Sequence, residues 1–389
     1  MKLLIVQNGN YAEAEHRFAR GGDETYYGQR YTVGYVAKLA RDAAPVRVIT
    51  VDQDAPLEKL PSGVESLGVR LYRGRHYRPR TGELLSFVKS WQPTHIVLHS
   101  PILEVLRWAV GNQIETLPIF ADSFRAAGLR KRFWYRRLAW TLNQPGIRWV
   151  VNHGRNAASD LVRIGVKACK VLPFDWPSLM LPSALPPKKA PTDPSTIRLT
   201  YAGQVVANKG VGDLIGAVAI ARSQGKHYSV TIVGKGDIDS FRKLASRHGL
   251  ERQIDFTGLV SHERVSELMN EGDVVVVPSR WEYPEGIPQT IYEGLASRTP
   301  VVVSDHPMFE GRIVHRQSGM VFRASNPQSL FDTIDELVSD RAFYERLSRD
   351  ADEICRNFHE PLKWDQVISR WLSATPADDA WLRRFALSQ

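Results

Sequence analysis

The sequence predicts an α/β protein made of two parallel-sheet domains. Short β-branched runs alternate with helix-like segments, the pattern of repeated βα units. That alternation stops at a proline-rich stretch near the middle and then restarts. The length, 389 residues with 43% hydrophobic and 24% charged side chains, exceeds what one hydrophobic core usually organises.

In the first half, strands are expected at Leu3 to Gln7, Val46 to Val51, Val69 to Tyr72, His95 to His99, Pro118 to Ala121, Arg148 to Asn152 and Lys170 to Pro173. A long loop, GNYAEAEHRFARGGDETYYGQ, separates the first strand from a helix around Tyr31 to Ala40, and loops of that length are often functional. The stretch Trp176 to Thr196 holds six prolines and no periodicity, so it reads as an interdomain linker. The second half places strands at Ile197 to Ala202, Ser229 to Val233, Ile254 to Thr257, Asp273 to Pro278, Pro300 to Ser304 and Met320 to Phe322. After Gln328 the pattern is helical and amphipathic. These boundaries divide the chain into a domain over 1–178, a linker over 179–196, a second domain over 197–360, and a helical tail over 361–389 expected to pack back toward the first domain.

Composition narrows the classes. Fifty-one Lys and Arg against 42 Asp and Glu give a formal charge of +9, which favours anionic partners. Only Cys169 and Cys355 occur, without metal-ligand spacing, so no disulfide framework or zinc site is implied. No run approaches 18 apolar residues, and the start MKLLIVQNGNYAEAEH turns polar too soon for a signal peptide, so a cytoplasmic protein is expected.

Three strand-to-helix junctions of the second half carry polar or glycine residues, and such junctions lie at the carboxyl edge of a parallel sheet, where open α/β sheets bind ligands. The first, Gly203-Gln204-Val-Val-Ala-Asn-Lys209-Gly210, offers backbone N–H groups and an ammonium for a diphosphate. The second, VTIVGKGD, puts Gly234 directly after a strand, a signal that also fits a simple tight turn. The third, RWEYPEGIPQTIYEGL, bears Glu285 and Glu293. Eight helical steps of about 1.5 Å would separate them by about 12 Å, too far for a carboxylate pair flanking one glycosidic bond. They read instead as separate acceptors for sugar hydroxyls.

These motifs, YAGQVVANKGVGDLI, VTIVGKGD, IDFTGLVSHERVSELM, GDVVVVPSRWEYPEGIPQTIYEGLASRTPVVVSD and GMVFRASNPQSLFDTIDEL, resemble the donor-binding domain of retaining family 4 glycosyltransferases, over Thr200 to about Leu337. The resemblance implies a GT-B fold, two Rossmann-like domains facing a central cleft. It also implies a metal-independent transfer of a hexose-type sugar from UDP or GDP to an acceptor hydroxyl with retained configuration. No cofactor is expected. By position, Glu293 would accept from the ribose, Glu285 would lie at the donor sugar and its phosphates, Lys209 would pair with the diphosphate, and Gly286, Ile287 and Pro288 would border the sugar. The family arginine five residues before that lysine is Gln204 here, which shifts leaving-group stabilisation onto Lys209, backbone dipoles or another cation such as Arg280.

In the first domain, Gly28 matches the family's glycine-rich loop, whose double glycine is reduced to Tyr27-Gly28. His99 and Asp122 end strands, would face the cleft and stand with Lys209 and Glu285 as candidate catalytic residues; for His99, plain strand-end satisfaction suits as well as a substrate contact. Asp122 stands near the place of a family histidine. The segment GLRKRFWYRRLAW, 128–140, interleaves five cations with aromatic residues, as suits an anionic membrane surface. A nucleotide-sugar donor, a glycan or lipid-linked acceptor and bacterial surface polysaccharide, lipopolysaccharide or glycolipid synthesis at the inner membrane face follow as expectations, with no nucleic acid partner. A nucleotide-sugar epimerase or phosphorylase of the same architecture, or a non-catalytic nucleotide-sugar or nucleic-acid binding protein, are the competing readings.

Overall fold

The computed structural model describes residues 1–71, 80–125, 128–177 and 180–388. The expected residues Tyr72, Ser178 and Leu179, at a strand end and at the domain–linker boundary, lie outside them. The chain forms two units, the first of Met1–Glu24, Gly28–Pro177 and Glu360–Gln389, the second of Thr25–Tyr27 and Ser178–His359.

The first unit holds strands β1 (Leu3–Gln7), β2 (Val46–Thr50), β3 (Ala55–Lys59), β4 (Glu65–Gly68), β5 (His95–Leu98), β6 (Glu115–Phe120), β7 (Val150–His153) and β8 (Val171–Phe174). They lie in the order β3-β4-β2-β1-β5-β6-β7-β8. All neighbours are parallel except β3 and β4. Chain direction across the sheet reverses between β1 and β5. Apolar clusters fill both faces, and the closing helix Trp364–Ser373 gives Trp364, Val367, Ile368 and Trp371 to one of them.

Two expectations for this unit change. The strand expected at Val69 to Tyr72 lies earlier, at Glu65–Gly68, because the ladder with β2 runs from Arg47↔Glu65 to Thr50↔Gly68. Backbone pairing sets that register, and β-branched content alone misplaces it. The long loop after β1 contains a helix, Tyr11–Ala19, started by Asn10, whose side chain accepts from Glu13 N at 3.0 Å. Asn followed by Glu three residues on is a capping pattern, so this helix was encoded locally.

The second unit holds β9 (Thr196–Ala202), β10 (His227–Val233), β11 (Ile254–Gly258), β12 (Val274–Val277), β13 (Val301–Ser304) and β14 (Met320–Phe322), in the order β11-β10-β9-β12-β13-β14, all parallel. The four valines of β12 are all buried, as a strand covered on both faces requires. Here the order reverses between β9 and β12, so the loops leaving these two strands flank the switch point of the sheet. Residues expected to form a free linker are docked within this unit. Ala190 is buried, and Lys188 Nζ donates to the Asn270 carbonyl at 2.6 Å. Proline removes backbone donors and fixes φ, which bars this stretch from helix and sheet but not from lying along the domain.

Candidate active site

The switch point of the second unit gathers the three junctions. After β9 the chain makes a short 3-10 turn, Ala207–Lys209, and enters the helix Val211–Ser223 through Gly210, whose φ is +75°. A side chain at Gly210 would collide with the Pro278 carbonyl, so glycine lets the turn lie against the loop leaving β12. Arg280 of that loop clasps the helix start, its Nε and Nη2 at 2.9 and 2.7 Å from the buried Asp213 carboxylate. The Arg280 backbone N–H donates to the Asn208 carbonyl at 2.9 Å.

Lys209 and Glu285 meet inside this scaffold. Lys209 Nζ lies 2.5 Å from Glu285 Oε2, with side-chain exposures of 12% and 8%. Ser279, fully buried, donates its hydroxyl to the same carboxylate oxygen at 2.8 Å. The ammonium also sits 4.5 Å from the centre of the Tyr283 ring, a cation–π contact. Gln204 stands alongside, its Oε1 3.5 Å from the Tyr283 hydroxyl and its carbonyl accepting from the Tyr201 hydroxyl at 2.6 Å. Burial, and then the Glu285 and Tyr283 charges, hold the Tyr201 phenol well above its ordinary pKa, so it stays a donor.

Glu293 belongs to a second cluster. It lies in the helix Gln289–Ala296, which starts at Pro288 and is tied to the end of β9 by the Thr290 hydroxyl donating to the Ala202 carbonyl at 2.8 Å. Gly286, Ile287 and Pro288 are buried and join the two clusters along the chain. Glu293 Oε1 is 2.9 Å from His262 Nε2, and the His262 ring stands edge-on to Tyr27 with centroids 5.5 Å apart. A pocket of about 230 Å³ opens here, lined by Gly203, Gln204, Gly234, Lys235, His262 and Glu293, with Thr25 to Tyr27 on its wall.

Of the residues singled out from the sequence, Lys209, Glu285, Gln204 and Arg280 share the first cluster, and Gly203, Gly234 and Glu293 line the pocket with Gln204. Arg280 is not an uncommitted cation, since Asp213 neutralises it. Gly28, His99 and Asp122 lie in the first unit. Gly28 takes φ +76° at the start of the helix Gln29–Asp42. His99 follows β5 at the switch point of its sheet, its Nε2 closed off from solvent without a hydrogen-bond partner, and burial pushes its pKa down to about 4. Asp122 follows β6, its carbonyl accepting from Asn152 Nδ2 at 3.0 Å. Sequence reasoning missed Ser279, His262 and Tyr27. His262 opens the helix after β11, with Ser261 capping it, so it obeys the same strand–loop–helix logic as the other three junctions.

Residues 186–354 match the family Glycosyl transferases group 1. An uncharacterized glycosyltransferase of Methanocaldococcus jannaschii is 30% identical over 172 residues, 43% of this chain and 42% of that protein. Alpha-D-kanosaminyltransferase of Streptomyces kanamyceticus is 30% identical over 152 residues, 39% of each. The chain thus matches about two fifths of the length of these curated relatives. Likeness of fold extends further. Anabaena HepE, solved in complex with UDP-glucose, aligns with TM-score 0.67 at 18% identity over 96% of this chain and 100% of its own. WaaG, a glycosyltransferase involved in lipopolysaccharide biosynthesis, aligns with TM-score 0.65 at 15% identity over the same shares. The architecture of two parallel α/β sheets is that of the GT-B glycosyltransferases.

Proposed function

With residues 186–354 matching the group 1 glycosyltransferase family, we propose that the chain is a retaining glycosyltransferase moving a hexose-type sugar from a nucleoside diphosphate to an acceptor hydroxyl. The observation that carries this reading is the pairing of Lys209 with Glu285 beside the Glu293 pocket, at the switch point of one sheet. In it, the nucleoside occupies the pocket, with Glu293 accepting from the ribose hydroxyls. The diphosphate reaches the Lys209 turn, where its negative charge draws the ammonium away from Glu285. Glu285, released from that ion pair, accepts from the sugar hydroxyls. As the glycosidic bond breaks, charge grows on the departing diphosphate, and a prepositioned ammonium stabilises it.

The donor is a UDP-sugar by preference over a GDP-sugar, supported by the UDP and UDP-glucose complexes of the structurally similar HepE. Transfer proceeds without a divalent ion, Lys209 meeting the charge that a metal would otherwise balance. The acceptor is a glycan or lipid-linked sugar of a bacterial surface polysaccharide or glycolipid. Amylovoran biosynthesis glycosyltransferase AmsK of Erwinia amylovora, 30% identical over 138 residues, supports that setting. The helix Leu129–Leu142, with Leu129, Phe133 and Trp140 exposed among its five cations, would hold the enzyme at the inner face of an anionic membrane.

A thermal-shift panel of UDP, GDP, ADP and their sugars tests the donor assignment. One nucleotide should raise the melting temperature of the wild type, and Glu293→Ala should abolish the shift. A panel that shifts neither protein, or both alike, would remove the donor site from this pocket.

A further inference from the structure

The first unit contains a larger concavity that the donor site does not use. Its volume is about 760 Å³, and it opens between the helix Leu129–Leu142 and the helix Arg155–Arg163. Arg125, Arg132, Arg136 and Arg163 line it together with Phe133 and one acid, Asp160. The Asp160 side chain is 1% exposed, and it is fully engaged. Its Oδ1 accepts from Arg163 Nη1 at 2.6 Å. Its Oδ2 accepts from the Phe124 backbone N–H at 3.3 Å and lies 3.4 Å from Arg125 Nε. One buried carboxylate thereby anchors two guanidiniums at the pocket wall. Arg132 and Arg136 follow one turn apart on the same helix, and neither has an acidic partner among the described residues.

Four guanidiniums against one carboxylate leave three positive charges uncompensated around a single concavity. Like charges four residues apart on a helix repel, so folding alone does not favour Arg132 beside Arg136. A ligand bearing a phosphoryl group would resolve that repulsion, because its oxygens match the fork of a guanidinium and accept two hydrogen bonds from each. Leu129 and Phe133, 81% and 64% exposed, supply an apolar contact for the rest of such a ligand.

We propose that this arginine-lined pocket binds a phosphoryl group carried by the acceptor. Its assignment to an acceptor rests on the transferase reading, whereas the binding of phosphate does not. A phosphorylated lipid and a soluble phosphorylated sugar present the same group.

The test uses the full chain carrying Lys209→Ala, which weakens anion binding at the donor turn. The probes are inorganic pyrophosphate, followed by calorimetry, and vesicles of equimolar phosphatidylglycerol and phosphatidylcholine against phosphatidylcholine alone, followed by sedimentation. Adding Arg132→Gln and Arg136→Gln should weaken pyrophosphate binding by about tenfold or more. Arg130→Gln with Arg137→Gln removes the same charge from the same helix outside the pocket lining and should leave pyrophosphate affinity nearly unchanged. Glutamine is a good helix former, and all four positions are exposed, so both double variants should fold. If the pocket pair reduces binding to the anionic vesicles more than the charge-matched Arg130, Arg137 pair does, the source is a lipid phosphate; if the two pairs reduce vesicle binding alike while pyrophosphate binding falls only in the pocket pair, the source is soluble. Either result supports the site. Absence of pyrophosphate binding, or an equal loss in the two double variants, overturns it, since a diffuse basic surface would then explain the arginines. None of these readings requires turnover, so an inactive enzyme would refute the transferase reading and leave the phosphate site standing.

Discussion

Lys209 and Glu285 neutralise one another in surroundings nearly closed to solvent, so removing either leaves a buried charge without its partner. Lys209→Ala should therefore destabilise the second unit by about 3 kcal/mol and slow turnover by about 10²- to 10³-fold. The double variant Lys209→Ala, Glu285→Gln separates these effects: urea unfolding should show stability largely restored, while turnover stays low. Full recovery of turnover would mean that the lysine serves packing alone. His99 makes a pH-dependent contribution of opposite chemistry. Its folded pKa, about 4, lies below the ordinary 6.5, so the unfolded chain binds the proton more readily. Stability from the neutral, buried ring is fully present above pH 6.5 and is lost as pH falls toward 4. Between pH 7 and pH 5 the unfolding free energy should fall by about 2 kcal/mol more in the wild type than in His99→Gln.

At the scale of elements, the loop between β12 and the helix Gln289–Ala296 is held from outside by Arg280 on Asp213 and from inside by Ser279 on Glu285. Arg280→Ala strands a buried carboxylate, and with Arg280 itself 30% exposed at its side chain the cost should be about 2 kcal/mol. Adding Asp213→Asn should recover most of it in thermal unfolding, and a failure to recover would show that Arg280 acts through packing. The same loop explains what was legible in the sequence. Glu285, Glu293 and Lys209 could be found because a strand, a turn and a helix start in order always deliver side chains to one sheet edge. Their partners could not. That Lys209 meets Glu285, and that Glu293 meets His262, depends on strand order, which lines up β11, β10, β9 and β12 across long sequence separations. The helix Tyr11–Ala19 was missed despite its Asn10–Glu13 cap because glycines and charges around it suggested a loop. Arg280 looked like a spare cation because Asp213, 67 residues earlier, is invisible as its partner in one dimension.

For the whole molecule, two parallel sheets, each reversing direction once, give two places where loops diverge and ligands can sit. The alternation of β-branched runs with helices revealed both sheets, whereas the assignment of Thr25–Tyr27 and the proline-rich stretch to the second unit came only with the tertiary structure. If Lys209 supplies the charge that a metal would otherwise bring, excess EDTA should leave turnover within about twofold of its untreated value, a difference below 1 kcal/mol. A collapse restored by Mg²⁺ or Mn²⁺ would contradict that. The most direct test of the account is release of nucleoside diphosphate from a panel of UDP-, GDP- and ADP-sugars, followed for the wild type and for Lys209→Ala with donor held saturating. One donor should yield diphosphate with wild type at a rate that Lys209→Ala lowers by about 10²-fold or more. No release from any donor with any acceptor, or equal release by the two proteins, would contradict it.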